Sequence, residues 1–426
     1  MNKRSAPEEA ACSFFLERKK RACRMKTVEG MSYCPHHSHL NAEKNDKKGL
    51  RIPCPYDSSH FCYQSKLEKH LKKCNAREKE KPEYFVKNIN VGDEPKDEVC
   101  RVTLKDVSDE ELLNLIEKIK TIYAKNCSDI QNFNEVHPIL SKEMQDTDDG
   151  ANSFKHMKQQ GSLLEILSKF KLLTDGLCFV EFGAGRGQLM YWIVKCVSEK
   201  EKASFILVDK SAQRHKSDNK FKGEDFHIER IRMDIQHLHL GKIPSIKQKL
   251  NKVVGVSKHL CGAATDLALN CLTKTLSSDP SEEVTSCQAL GLVMALCCYH
   301  RCSWSSYVGK QFMRRNDITE SDFKLMCCMA SWATCGLRKI KNENVDHPTK
   351  CSVTNVAEDK VLSRYIKLGL EHNEREEIGS KCKRLIDFGR IEYLKGLGYD
   401  SKLLEYIDKS VTLENVVLVA VHDKSL

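Results

Sequence analysis

Cys54, His60, His70 and Cys74 carry zinc-binding atoms at intervals of five, nine and three residues. Zinc takes four nitrogen or sulfur ligands in a tetrahedron, and two thiolates with two imidazoles complete one. The segment SKLEKHLKKC reads as a short helix opened by Ser65. His70 and Cys74 are then four residues apart on one face. Leu67 and Leu71 give that helix only a small apolar stripe, so bound metal must supply the folding free energy. Cys62 is an alternative ligand. Upstream, Cys12, Cys23, Cys34 and His37 form a second allowed set of three thiolates and one imidazole, with His36 and His39 competing for the fourth place.

A different chemistry is written in GLCFVEFGAGRGQLMYWIVKCV. Leu177 to Phe182 is an apolar run that reads as a buried strand. Gly183, Gly185 and Gly187 follow at once, and a helical pattern begins near Leu189. Strand, glycine turn and helix form the first unit of a nucleotide-binding α/β fold. A second strand, SFILVDK, ends in Asp209, an acid placed to accept hydrogen bonds from ribose hydroxyls. Gln188 stands where a dinucleotide fingerprint would want its third glycine. Glu181 with the three glycines resembles motif I of class I S-adenosylmethionine-dependent methyltransferases. That resemblance implies a Rossmann-like, seven-stranded mixed sheet, with Glu181, Gly183, Gly185, Gly187, Asp209 and Asp234 around the cofactor. Later segments agree: FHIERIRMDI ends near Asp234, VVGVSK and ALGLVMALC follow, and SKLLEYI with NVVLVAVH makes a terminal antiparallel pair.

A chain of 426 residues suffices for two or three domains to position these groups. Two small zinc fingers are expected at 8–40 and 51–78. A charged linker and amphipathic helix are expected over 79–150, and an α/β domain over 151–426 with a helical insertion around 303–380. Within the linker, Ser108 and Glu111 make a capping box. Leu112, Leu115, Ile116, Ile119 and Ile122 make one apolar stripe, which suits packing on the next domain better than a coiled-coil arm. No apolar run approaches the length of a membrane span. The start lacks the apolar core of a secretion signal, so an intracellular protein, cytoplasmic or nuclear, with reduced or metal-bound cysteines is expected. Residues 1–82 hold 19 Lys and Arg against 10 Asp and Glu, a net of +9, whereas the rest nets +1. Such a patch suits a polyanion, here RNA rather than DNA or a membrane.

Two further segments fall at expected strand ends, where open α/β sheets bind ligands. One is SKHLCGAATDLAL, beginning at Ser257; the other is LCCYHRC, beginning at Leu296. With the two finger patterns, H-L-C-G and C-C-x-H-x-C resemble the eukaryotic tRNA 2′-O-methyltransferases that act on position 4 of the acceptor stem. The resemblance implies S-adenosylmethionine and zinc as cofactors and the tRNA acceptor stem as partner. Ribose methylation needs a hydroxyl stripped of its proton in line with the methyl. Lys258 is the candidate cation favouring the alkoxide, His259 or His300 the candidate base, and Asp266 lies in the same region. Cys261, Cys297 and Cys298 keep open a 5-methylcytosine mechanism through a nucleophilic thiol. A non-catalytic zinc-dependent RNA-binding protein and a zinc-finger protein methyltransferase also fit these features.

Overall fold

The computed structural model describes residues 12–16, 21–27, 32–34, 37, 51–74, 77, 80–92, 102–146, 151–214, 216–249, 252–276, 289–335 and 364–422. They divide into two compact units, 1–82 and 83–426. The competing His36 and His39, and the polar stretch 341–360 of the expected insertion, lie outside the described residues.

The first unit has almost no apolar interior. Two-residue strands β1 (Phe15–Leu16) and β2 (Arg21–Ala22) pair antiparallel. Cys12, Cys23 and Cys34 are its buried residues there, and Phe14 stacks on His37 with ring centroids 3.9 Å apart. Next, β3 (Arg51–Cys54) and β4 (Asp57–Tyr63) form a hairpin that leads into α1 (Leu67–Lys73). Helix α1 buries none of its residues, as the sparse leucine stripe requires.

The second unit is built on a mixed sheet. Its elements begin with α2 (Asp109–Asn126), β5 (Gln131–Asn132), α3 (Pro138–Asp146), α4 (Ala151–Lys169) and β6 (Cys178–Phe182). Next come α5 (Gln188–Cys196), β7 (Ser204–Asp209), β8 (His227–Arg232), α6 (Pro244–Lys249), β9 (Val253–Cys261), α7 (Ala263–Lys274) and β10 (Ala289–Cys297). The last are α8 (Lys310–Arg315), α9 (Glu320–Ala330), α10 (Trp332–Cys335), α11 (His372–Gly396), β11 (Tyr399–Glu405) and β12 (Val416–His422). The strand order is β5-β11-β12-β10-β9-β6-β7-β8. Strands β10 through β8 run parallel, and β12 lies antiparallel between β10 and β11, as the terminal pair foretold. The sheet has eight strands where seven were expected. The extra one is β5, which pairs with β11 over Gln131 and Asn132.

Side chains alternate across the sheet, so each strand feeds two cores. Cys178, Val180 and Phe182 of β6 pack on the side of α2, α7, α9 and α11, and Phe179 packs with α4 and α5. The capping box at Ser108 and Glu111 is formed, and all five stripe residues of α2 are buried. Each such burial contributes about 1.5–3 kcal/mol. The stripe is therefore spent on this core, not on a coiled-coil arm. The expected linker is also partly folded. Phe85 bridges to Leu238, and the buried Asn90 amide donates to the carbonyls of Ile235 and Leu238 at 2.6 and 2.7 Å. No helix among the described residues is long and apolar enough to cross a membrane.

One buried ionic network ties α11 to α7 and to the turn after β10. Arg390 donates to both carboxylate oxygens of Asp266, at 3.1 and 2.7 Å, and to Asp387 at 3.0 Å. Tyr299 donates to Asp387 at 2.7 Å, and all four residues are buried. Asp266 is thus a structural anchor between α7 and α11. Arg390→Met should strip Asp266 of its paired cation, leave Asp387 with only the longer contact to Arg384 at 3.4 Å, and lower stability by about 3–5 kcal/mol. Chemical denaturation of the purified variant measures this; an unchanged midpoint would show the network to be dispensable.

Candidate methyl-transfer site and zinc centres

The zinc donors can be tested by geometry. Bonds of about 2.3 Å to sulfur and 2.0–2.1 Å to nitrogen put tetrahedral edges near 3.8 Å for S–S, 3.5 Å for S–N and 3.3 Å for N–N. In the hairpin finger, Cys54 and Cys74 sulfurs are 3.6 Å apart and the two histidine Nε2 atoms 3.3 Å apart. The mixed edges are 3.2 Å for His70 to Cys54 and 3.3 Å for Cys74 to His60. In the first finger, Cys23 and Cys34 sulfurs are 3.9 Å apart, and His37 Nδ1 lies 3.4 Å from both Cys12 and Cys34. Each foursome lies within 4.8 Å. Both sets fit zinc. Cys62 pairs across the hairpin with Ile52, outside the converging foursome.

The glycine turn sits at the carboxyl end of β6. Neighbours β7 and β9 flank β6, so the connections leave it on opposite sides and open a crevice. Gly183 and Gly187 both have left-handed backbones, φ +65° and +74°. A Cβ on Gly183 would come within 2.9 Å of Leu260 Cδ1, and one on Gly187 within 2.6 Å of Leu207 Cδ2. Only glycine meets both demands. Glu181, buried in β6, accepts from the Met190 amide at 3.2 Å and so holds the first turn of α5. Asp209 ends β7. Its Oδ2 accepts from the Gly185 amide at 2.8 Å and its Oδ1 from Ser211 at 2.7 Å. Each oxygen keeps a further lone pair for a ligand hydroxyl. Asp234 follows β8, pairs with Lys210 at 2.7 Å and accepts from the Gln236 amide at 3.1 Å. A turn of backbone amides ringed by acids, with no phosphate-binding lysine in it, suits a methyl donor that carries an amino acid and a ribose.

Strand β9 runs further than expected. Leu260 and Cys261 still pair with Leu296 and Cys297 of β10 after a register shift near Leu296. His259 is therefore a strand residue like Lys258, not a member of the following loop. His259 absorbs the irregularity with φ +67°. Lys258 is buried, and its Nζ lies 3.3 Å from His156 Nδ1 on α4. The rings of His156 and His259 meet edge to face, with centroids 6.1 Å apart. Burial pushes Lys258 down to about 8, with Glu181 opposing. Burial pushes Glu181 up to about 8, against the Met190 amide, Arg230 and Lys258. Burial, then the charges of Lys258 and His156, hold the His259 imidazole below its usual range. His300 lies elsewhere, exposed on the turn Tyr299–Arg301 after β10, close enough for its charge to act on Cys261.

Two contributors were not found from the sequence. His156 belongs to a helix with no motif around it, and only the fold brings it to Lys258. Arg230 donates to the Gly185 carbonyl at 2.8 Å and pairs with Asp218 at 2.6 Å, bracing the glycine turn from β8. A charged residue in the middle of FHIERIRMDI was the available signal.

This fold and crevice define an S-adenosylmethionine-dependent methyltransferase, and the two donor sets define zinc fingers in front of it. The family model for methyltransferase TRM13 matches residues 158–421, the CCCH zinc finger in TRM13 protein matches 10–38, and the U11-48K-like CHHC zinc finger matches 51–75. The mouse protein named tRNA:m(4)X modification enzyme TRM13 homolog is 36% identical, covering 97% of this chain and 95% of that protein. The human protein of the same name is 37% identical over 98% and 96%. The tRNA:m(4)X modification enzyme TRM13 of Kluyveromyces lactis is 31% identical over 98% and 97%. The chain belongs to the TRM13 methyltransferase family.

The donor geometry predicts two zinc ions per chain, four ligands each. His70→Ala should retain one, because the Cys12 set is untouched. The hairpin finger should then lose its structure, since it has no core to fall back on. Metal analysis with limited proteolysis checks this. Two ions retained by the variant would place Cys62 or another donor in the site.

Proposed function

We propose that this protein transfers a methyl group from S-adenosylmethionine to the ribose 2′-hydroxyl of nucleotide 4, cytidine or adenosine, in the acceptor stem of certain tRNAs. The observation that carries the reading is the Lys258, His259 and His156 group at the carboxyl end of β9, beside the Glu181–Gly187 turn. The tRNA modification named for full-length relatives supports the substrate class. Bound S-adenosylmethionine supplies an electrophilic methyl. Gly183, Gly185, Gly187, Asp209 and Asp234 hold and orient the donor, with Glu181 fixing the helix behind it.

Lys258 then serves as the cation that favours the alkoxide. His259 keeps a neutral imidazole near pH 7 because its pKa is lowered, and it is therefore free to accept the hydroxyl proton. His300 is the alternative base. An RNA duplex is read by shape, phosphates and 2′-hydroxyls. The fingers, in a segment of net charge +9, would grip that backbone and select the ribose that enters the pocket.

Nucleoside mass spectrometry of tRNA from cells lacking the protein tests the reading: a 2′-O-methyl group near the 5′ end should disappear. Loss of 5-methylcytosine instead would move the chemistry to Cys261, Cys297 or Cys298. The pH profile tests Lys258 separately. Its useful form is protonated, so kcat/KM should fall as pH rises through about 8. In Lys258→Arg the falling limb should move to higher pH, because guanidinium stays charged. A limb that stays in place removes Lys258 from the role.

A further inference from the structure

Three thiols meet at the mouth of the crevice without entering the scheme above. Cys261 ends β9, and Cys297, its register partner, ends β10. Adjacent strands lie about 4.8 Å apart, within the Cα separation a disulfide tolerates. Cys298 follows in a left-handed conformation, φ +52°, which turns its side chain back across the strand end. Its sulfur lies 3.0 Å from that of Cys261, and the Cys297 sulfur lies 3.5 Å away. None of the three is fully buried.

The tetrahedral measure that the fingers satisfy is only partly met here: the three sulfurs lie within 4.8 Å of one another, but no fourth donor joins them among the described residues and one edge is short. Zinc-bound sulfurs stand about 3.8 Å apart, and the finger sulfurs do so at 3.6 and 3.9 Å. The Cys261–Cys298 separation is shorter than the edge of a zinc tetrahedron and points to direct sulfur chemistry. Cys297 and Cys298 are neighbours in the chain, so a bond between them would distort their peptide. Cys261 and Cys298 meet with no such constraint.

We propose that Cys261 and Cys298 are a reversible oxidation site, forming a disulfide on exposure to a peroxide and arresting methyl transfer while it lasts. The Cys261 thiolate attacks one peroxide oxygen; the O–O bond breaks, and the departing hydroxide takes up a proton as water. Cys261 is then a sulfenic acid. The Cys298 sulfur attacks it, the S–O bond breaks, and the second hydroxide leaves with the Cys298 proton as water. Two thiols lose two electrons, and one peroxide becomes two waters.

The surroundings favour this order. The hydrogen bond from Cys297, against burial, with help from Cys298, Arg301 and His300, brings Cys261 down to about 6. Burial and the Cys261 sulfur push Cys298 up to about 11, so it holds its proton until Cys261 has reacted. The bond would join two strand ends whose following residues are already close: a Cβ on Gly262 would come within 2.4 Å of the Arg301 backbone. Lys258 and His259 lie within three residues of Cys261, so a pulled strand end displaces them.

The test treats zinc-loaded full-length protein with hydrogen peroxide, alkylates free thiols and maps them by mass spectrometry. A linked Cys261–Cys298 peptide pair is expected, with loss of methyl transfer, and dithiothreitol should reverse both. With both neighbouring thiols removed, in Cys297→Ser/Cys298→Ser, dimedone should label a sulfenic acid at Cys261. The proposal fails if Cys261 is alkylated as before while the finger cysteines oxidise. It fails equally if a third zinc ion per chain shields the cluster, or if the linked protein keeps full activity. Thiol mapping uses no RNA, so it stands apart from the choice of substrate.

Discussion

The backbone between Glu181 and Gly187 has to turn sharply at the end of a buried parallel strand. Everything that performs chemistry in the second unit is arranged around that turn. The left-handed Gly183 lets Leu260 of β9 pack directly against it, which brings the Lys258–His259 end of β9 alongside. Asp209 ties the Gly185 amide to β7, and Arg230 ties its carbonyl to β8. Glu181 reaches from inside the sheet to the first turn of α5. The turn is therefore held from three strands and a helix before any ligand arrives, and a preorganised site loses less on binding.

The two units solve opposite problems. The second has apolar surface to spare on both faces of its sheet and places buried charge in the Asp266–Arg390–Asp387 network. The first has so little apolar surface that zinc takes the place of a core. This division also separates the tasks proposed for them: a charged, metal-held surface for a polyanion, and a crevice at the strand ends for methyl transfer.

Much of this was legible in the sequence because the signals are local. The apolar run before Gly183 could only be a buried strand, the capping box at Ser108 did open a helix, and the ligand spacings of both fingers closed into tetrahedra. Contributions that depend on distant partners were not legible. The fourth strand was expected to stop at Lys258, but pairing with β10 carries it through His259 to Cys261. Asp266 looked available for chemistry until the fold supplied Arg390, 124 residues away. The charged stretch containing Asn90 looked like linker because its buried bonds go to backbone carbonyls, which leave no sequence trace.

The central claim is that the Glu181–Gly187 turn and Asp209 receive the methyl donor. Titration calorimetry of zinc-loaded full-length protein with S-adenosylmethionine tests it most directly. Saturable binding at one site is predicted. Asp209→Ala, which loses charge-assisted hydrogen bonds of about 1.5–3 kcal/mol, should bind roughly 10–100-fold more weakly. Absence of binding by folded wild-type protein, or equal affinity in the variant, would contradict it.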